Sequence, residues 1–133
     1  MKPSSKHIML LFFLILILRI PTLYQPIVDI DESVFSEFAS IILQGGAPYI
    51  DALDNKPPLT YYFFSIVYYF TGTGNMPAVH AATILIVMAT GFFIFRFAGK
   101  YYGEKAGIMS LAFYVFLGHF FEPKYISTNG ETL

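Results

Sequence analysis

An adjacent acidic pair, Asp31-Glu32, is followed in the chain by a lone Lys56. Asp29, Asp51 and Asp54 lie in the same stretch, and Glu131 stands near the end of the chain. A carboxylate so placed can act as a general base on an acceptor hydroxyl, or hold a divalent cation. A lysine ammonium beside it is a point charge for a phosphate. The segments flanking 29–59 are strongly apolar, and charge at a bilayer edge is costly enough to mark function. Plainer roles compete at each position. Asp31 and Glu32 also suit the first turn of a helix, where the dipole favours negative charge. Lys56 also suits a snorkelling anchor at a helix start. Arg19 reads as a cation that snorkels or pairs with a loop acid, and more remotely as a contact for a lipid phosphate. His80 reads as a satisfied packing or interfacial histidine. Tyr61, Tyr62, Tyr68 and Tyr69 read as an aromatic belt, and Asp29 and Asp51 as capping or solvated acids.

Composition sets the environment of these residues. The 133 residues are 56% hydrophobic, 19% aromatic and 13% charged, against roughly 25% charged in a soluble domain. That balance indicates a membrane protein. The eight Lys and Arg are scattered without a basic face, which argues against a nucleic-acid partner. The chain has no Cys, so disulfides, thiolate catalysis and cysteine-ligated metals are excluded. His7, His80 and His119 lack metal-ligand spacing.

Residues 7–24 carry a basic start and a short apolar core, as a signal peptide does. No small-residue cleavage site follows, and the core runs into Arg19 and Pro21, so a retained first transmembrane helix is the favoured reading. Asp29 to Gln44 predicts an amphipathic helix, with Asp29 as N-cap and Glu32 completing a capping box. Val34, Phe35, Phe38, Ile41 and Ile42 share one face, and Gly45-Gly46 ends the helix. Its stripe suits a membrane surface or an ordinary packed neighbour. Residues 59–70 are apolar and Tyr/Phe-rich, yet shorter than a span, which indicates an interfacial or re-entrant segment. A second span is expected over 76–98, with Pro77 in its first turn, and a third over 106–121.

Basic residues orient the spans. Lys2 and Lys6 place the N-terminus in the cytoplasm, and Arg96, Lys100 and Lys105 belong on that same side. Both conditions hold only if 59–70 does not cross. The expected architecture is therefore an all-α integral membrane protein. It has three transmembrane helices (7–24, 76–98, 106–121) and two juxtamembrane or interfacial helices in a first extracytoplasmic loop, 25–75. The segment after Phe121 returns to the side of that loop, so Glu131 faces the same membrane surface as Asp31.

The ordered set Asp31-Glu32, Gly46-Ala47-Pro48-Tyr49 and Asp54-Asn55-Lys56-Pro57-Pro58-Leu59, closed by Thr60-Tyr61, resembles one family. It is similar to the start of the GT-C fold glycosyltransferases that use polyprenyl-phosphate sugars, relatives of protein O-mannosyltransferases and lipid A aminoarabinose transferases. The resemblance covers essentially the whole chain, but about the first quarter of a typical member. It implies Asp31 as catalytic base with Glu32 as its neighbour, Lys56 as ligand of the donor phosphate, and Glu131 as the second acid. Arg19, Asn55 and His80 are accessory positions. Asn55 stands where aminoarabinose transferases carry an acid, and His80 where members often carry Arg. The resemblance fixes no cofactor; it leaves room for a divalent cation, which would be held by Asp31 and Glu131. The implied partners are a polyprenyl-phosphate sugar donor, membrane lipid and a protein, lipid or glycan acceptor. The implied location is a bacterial or archaeal plasma membrane.

The competing expectation, from another class, is a small non-catalytic three-span protein for binding or assembly. A transporter fragment is a third, without visible inverted repeats. The ending Glu-Thr-Leu, just past a predicted loop, reads as part of a longer protein, and the 133 residues alone are expected to be inactive. Sequencing the coding region beyond Leu133 separates these readings. Further hydrophobic spans are expected for the transferase, whereas an immediate stop codon would favour the small membrane protein.

Overall fold

The computed structural model describes residues 5–51, 56–120 and 126–128. Among them the regular structure is helical, with no strand. Helix α1 spans Ser5–Arg19 and runs into a 3-10 turn, Ile20–Tyr24, where Pro21 fits the first positions. Helix α2 spans Ile30–Leu43, α3 Pro58–Thr71, α4 Met76–Tyr102 and α5 Glu104–Phe120. Two stretches, Lys6–Tyr24 (19 residues) and Met76–Tyr102 (27 residues), are long and apolar enough to cross a membrane, each with mean hydropathy 2.1.

Local chemistry explains the helix ends. Asp29 caps α2 as expected, its side chain accepting from the Asp31 N–H at 2.9 Å. The expected capping box is not what Glu32 makes: its carboxylate reaches one residue further back, to the Val28 N–H at 2.7 Å. Gly45, at φ +88°, and Gly46 close α2 by returning their N–H groups to Ile42 and Ile41 carbonyls, at 3.0 and 2.9 Å. Pro57 and Pro58 open α3, and Asn75 caps α4 through the Ala78 N–H. Helix α4 runs past the expected end at 98, because nothing in Gly99-Lys100-Tyr101-Tyr102 breaks it and Lys100 favours a C-terminal turn. Gly103, at φ +90°, stops it.

Two cores result. Helices α2 and α3 form a hairpin around Phe35, Phe38, Ala39, Tyr61, Phe64 and Tyr68, joined to α4 by Met76 and Val79. Tyr61 stacks on Phe38 with ring centroids 4.4 Å apart, and Phe35 meets Phe64 edge-on at 5.8 Å. Such pairs add about 0.5–1.5 kcal/mol to the burial of each ring. The apolar stripe of α2 is therefore covered by α3. The expected aromatic belt is corrected in half its members. Tyr61 and Tyr68, seven residues apart, share the buried face of α3, while Tyr62 and Tyr69 stay exposed. The second core, Ile15, Val87, Leu111 and Val115, joins α1, α4 and α5.

Helix α1 lies antiparallel to α4, with Ile8 and Leu11 in the same cluster as Phe95 and the 3-10 turn beside the start of α4. Lys6, Arg96, Lys100 and Lys105 therefore gather at one end of the bundle, and Asp29, Asp31, Glu32 and Asp51 at the other. Around the cores, Met9, Phe13, Leu85, Phe93, Phe97 and Phe113 turn outward and are exposed.

The α4–α5 contact depends on small residues. A Cβ at Gly107 would lie 2.7 Å from the Phe95 carbonyl oxygen and 3.1 Å from the Gly99 Cα. Small residues permit such close backbone approach. Gly107→Leu is expected to cost about 1–3 kcal/mol through overpacking, read as a lowered Tm in detergent. Gly118→Leu is the control, since a Cβ there meets nothing within 4 Å and its Tm should not fall.

Candidate functional site

The first turn of α2 sends its two acids in different directions. Adjacent helical positions are about 100° apart, so Asp31 and Glu32 cannot face one environment. Asp31 turns to a part-exposed rim, where its Oδ1 meets the Lys56 Nζ at 2.5 Å. The side chains are 22% and 30% exposed, respectively. Glu32 turns inward and is fully buried.

Lys56 is held at both ends. Its ammonium lies 5.0 Å from the centroid of the Phe35 ring as well as against Asp31, a cation–π contact worth about 0.5–1 kcal/mol at a partly exposed site. Its carbonyl accepts from the Tyr49 hydroxyl and, at 3.3 Å, from the Tyr61 hydroxyl. Tyr49 adopts φ +68°, an uncommon conformation for a non-glycine residue, which costs about 1–3 kcal/mol. The 46–51 turn supports it: the Asp51 carboxylate accepts from the Ala47 N–H at 2.7 Å. Asp51 is thus a capping acid, as expected. Gly46 is required there, since a Cβ would sit 2.5 Å from Ile41 Cγ2.

Glu32 is the centre of a buried polar cluster. Oε2 accepts from the Val28 N–H and Oε1 from the Thr128 N–H, both at 2.7 Å. The His80 Nε2 lies 3.2 and 3.3 Å from the two oxygens, and its Nδ1 lies 2.7 Å from the Thr22 carbonyl. Both neighbours are acceptors, so a hydrogen on Nδ1 donates to the Thr22 carbonyl and one on Nε2 donates to the Glu32 carboxylate. Burial on its own would raise the Glu32 pKa, but the hydrogen bonds from His80, Thr128 and Val28 outweigh it and hold the carboxyl below its ordinary 4.5.

Two further contacts tie residues 126–128 to this cluster. Arg19, 3% exposed, donates to the Ile126 carbonyl at 3.1 Å. The Thr83 hydroxyl meets the Thr128 hydroxyl at 2.8 Å, and itself donates to the Val79 carbonyl at 2.9 Å. Arg19 is thus enclosed, which corrects the expectation of a snorkelling side chain: the 126–128 segment covers it. His80 is buried and satisfied, as expected. Asp31 and Lys56 meet directly, Glu32 and His80 meet beneath them, and Arg19 joins through Ile126. Asn55 and Glu131 lie outside the described residues. Among the described residues no group of three or more His, Asp or Glu can hold a metal ion. Thr22, Thr83 and Thr128 were not singled out from the sequence. The one available signal was a threonine inside an otherwise apolar helix, which is weak because Thr can bond its own helix's carbonyls.

Searches among protein-family models, curated proteins and solved structures found no match to this chain.

Removing the Glu32 carboxylate strands two backbone N–H groups and His80 in an enclosed space. Glu32→Ala is therefore expected to cost about 3–5 kcal/mol, while Asp31→Asn at the rim should cost about 1 kcal/mol or less. Thermal unfolding in detergent compares them. Because the folded pKa of Glu32 is depressed, its contribution is complete above the ordinary carboxylate range and is lost as pH falls through the lowered value. Acid titration should therefore destabilise the unsubstituted chain more steeply than Glu32→Ala.

Proposed function

We propose that the chain is the N-terminal part of a membrane glycosyltransferase that moves a sugar from a polyprenyl-phosphate donor to an extracytoplasmic acceptor. The observation that carries this reading is the Asp31–Lys56 contact. A carboxylate and an ammonium, far apart in sequence, share a part-exposed rim at 2.5 Å. The residue set that resembles GT-C transferases supports it, as does the pinning of the Lys56 backbone by Tyr49 and Tyr61.

In this reading α1, α4 and α5 cross the bilayer, and α2 and α3 lie at its outer surface. The exposed apolar shell and the gathering of Lys6, Arg96, Lys100 and Lys105 at one end support that placement. The N-terminus is cytoplasmic, and the Asp31–Lys56 rim faces the extracytoplasmic headgroup layer of a bacterial or archaeal plasma membrane. The donor's lipid tail stays in the bilayer while its phosphate reaches Lys56.

The rim chemistry follows from exchange of partners. A donor phosphate docking on Lys56 replaces Asp31 as the ammonium's neighbour and frees the carboxylate. Asp31 then takes the proton from the acceptor hydroxyl as its oxygen bonds to the anomeric carbon. The bond from that carbon to the phosphate oxygen breaks, and the lipid phosphate leaves with the electron pair beside Lys56. Attack from the face opposite the leaving group inverts the anomeric configuration. Glu131 is the candidate second acid, alone or through a divalent cation shared with Asp31. Glu32 acts from beneath, since both its oxygens are engaged.

The test uses the full-length protein with a radiolabelled polyprenyl-phosphate sugar. Asp31→Asn and Lys56→Ala should each lower transfer by about 100-fold or more, the scale of a general acid–base contribution, with Tm near that of the parent. Turnover at the parental rate in both variants would remove the assignment.

A further inference from the structure

The end of the bundle opposite the Asp31–Lys56 rim is basic and aromatic together. Arg96 and Lys100 stand one turn apart near the end of α4, Lys105 lies in the first turn of α5, and all three are exposed. Lys6, at the start of α1, lies at the same end. Phe93, Phe97 and Tyr101 recur every fourth residue of α4, share one face and are exposed as well. The Tyr101 ring meets Phe97 with centroids 4.8 Å apart, and the Lys100 Nζ lies 5.5 Å from the Tyr101 centroid. A strip of exposed aromatic rings thus runs into a group of cations.

Close backbone packing creates this gathering. Gly107 sits against the Phe95 carbonyl and Gly99, so the first turns of α5 are held beside the last turns of α4. Glu104 is the one acid between residues 92 and 108. Among the described residues, no carboxylate lies within ion-pair distance of Arg96, Lys100 or Lys105. Like charges assembled with so little compensation repel one another, and an anion from outside relieves that repulsion. We propose that this end of the bundle is a docking surface for the phosphate headgroups of anionic lipids. Arg96, Lys100 and Lys105 meet the phosphates, and Phe93 and Phe97 lie along the acyl chains. The surface presupposes that α4 crosses the bilayer, as proposed above, and is independent of glycosyl transfer.

Two features select a lipid over a soluble anion. The cations border an exposed apolar strip, which a soluble phosphate leaves facing water and an acyl chain covers. Basic residues at a membrane edge also gain from the negative potential of an anionic leaflet. The three cations are suited to the headgroup in different ways. Arg96 offers a planar fork for two phosphate oxygens, whereas Lys100 and Lys105 are compact charges on flexible stems. The Tyr101 ring keeps the Lys100 ammonium near the level at which tyrosines sit in a bilayer.

The 133 residues contain no Trp, so Phe93→Trp gives a local fluorescent reporter on the exposed strip. It lies about 10 Å from Lys100 along α4, at the 1.5 Å rise of a helix. The full-length protein is placed in vesicles of phosphatidylcholine mixed with phosphatidylglycerol, with brominated acyl chains on one lipid or the other. Bromine quenches the reporter on contact, and the signal of the protein without the substitution is subtracted. Phosphatidylglycerol should be preferred at the reporter by about fivefold or more, the increment of one basic residue near an anionic surface. The preference should disappear when Arg96→Gln, Lys100→Gln and Lys105→Gln are combined. Raising salt from about 0.1 M to about 1 M shortens the screening length from about 10 Å to about 3 Å. The preference should weaken accordingly, a measurement that needs none of the three Gln substitutions and stands even if their combination fails to fold. Inorganic phosphate, against chloride of equal ionic strength, should leave the preference unchanged. Equal quenching by the two lipids overturns the docking surface and leaves α4 in the bilayer, whereas quenching by neither removes both. A preference kept by the triple variant, indifferent to salt or abolished by inorganic phosphate also overturns the surface.

Discussion

An ionisable side chain with no exposure must have every lone pair met from within the protein, and at Glu32 this requirement organises one end of the molecule. Its partners come from four places: the turn before α2, the first turns of α4, the 3-10 turn after α1 by way of His80, and the segment at 126–128. None of these elements can shift far without leaving a donor or an acceptor unpaired. Hydrophobic packing along the helices is non-directional and tolerates sliding by comparison. The polar cluster therefore sets the register in which the α2–α3 hairpin meets the α1–α4–α5 bundle.

The same first turn that encloses Glu32 exposes Asp31. One helical step separates a saturated, enclosed acid from one paired with Lys56 at the part-exposed rim. The aromatic core beneath makes that division firm. Phe35, one turn after Asp31, packs on Tyr61 and Phe64 and offers its face to Lys56. Tyr61 also bonds the Lys56 carbonyl, so the ring that fills the core also positions the cation. The strained Tyr49 serves the same carbonyl. Packing, loop geometry and the charged rim are thus one construction, and a change in the hairpin core would be felt at the Asp31–Lys56 contact.

Much of the helical framework was legible because its signals are local. Asp29 before an amphipathic run, Gly45-Gly46 after it, Pro57-Pro58 opening an aromatic run and Pro77 after Asn75 each act within a few residues. Their helices appear within one to four residues of the expected ends. Less was legible where a residue's role depends on what packs against it. The pattern of Tyr61, Tyr62, Tyr68 and Tyr69 does not reveal which face α3 turns to α2. Glu32 read as a capping-box acid because Val28, Thr128 and His80 could not be foreseen converging on it. Arg19 read as snorkelling because its cover, Ile126, is 107 positions away.

The sequence by itself determined an apolar, helical chain, the limits of its helices to within a turn or so, the absence of cysteine chemistry, and a short roster of charged residues. Those properties follow from composition and near-neighbour spacing. Only the tertiary structure decided which of those charges are enclosed and which are offered to the outside. Asp31 and Glu32 are chemically near-identical and adjacent, and their difference arises from partners 25, 48 and 96 positions along the chain. Burial is a property of the assembled surfaces, and no local pattern encodes it.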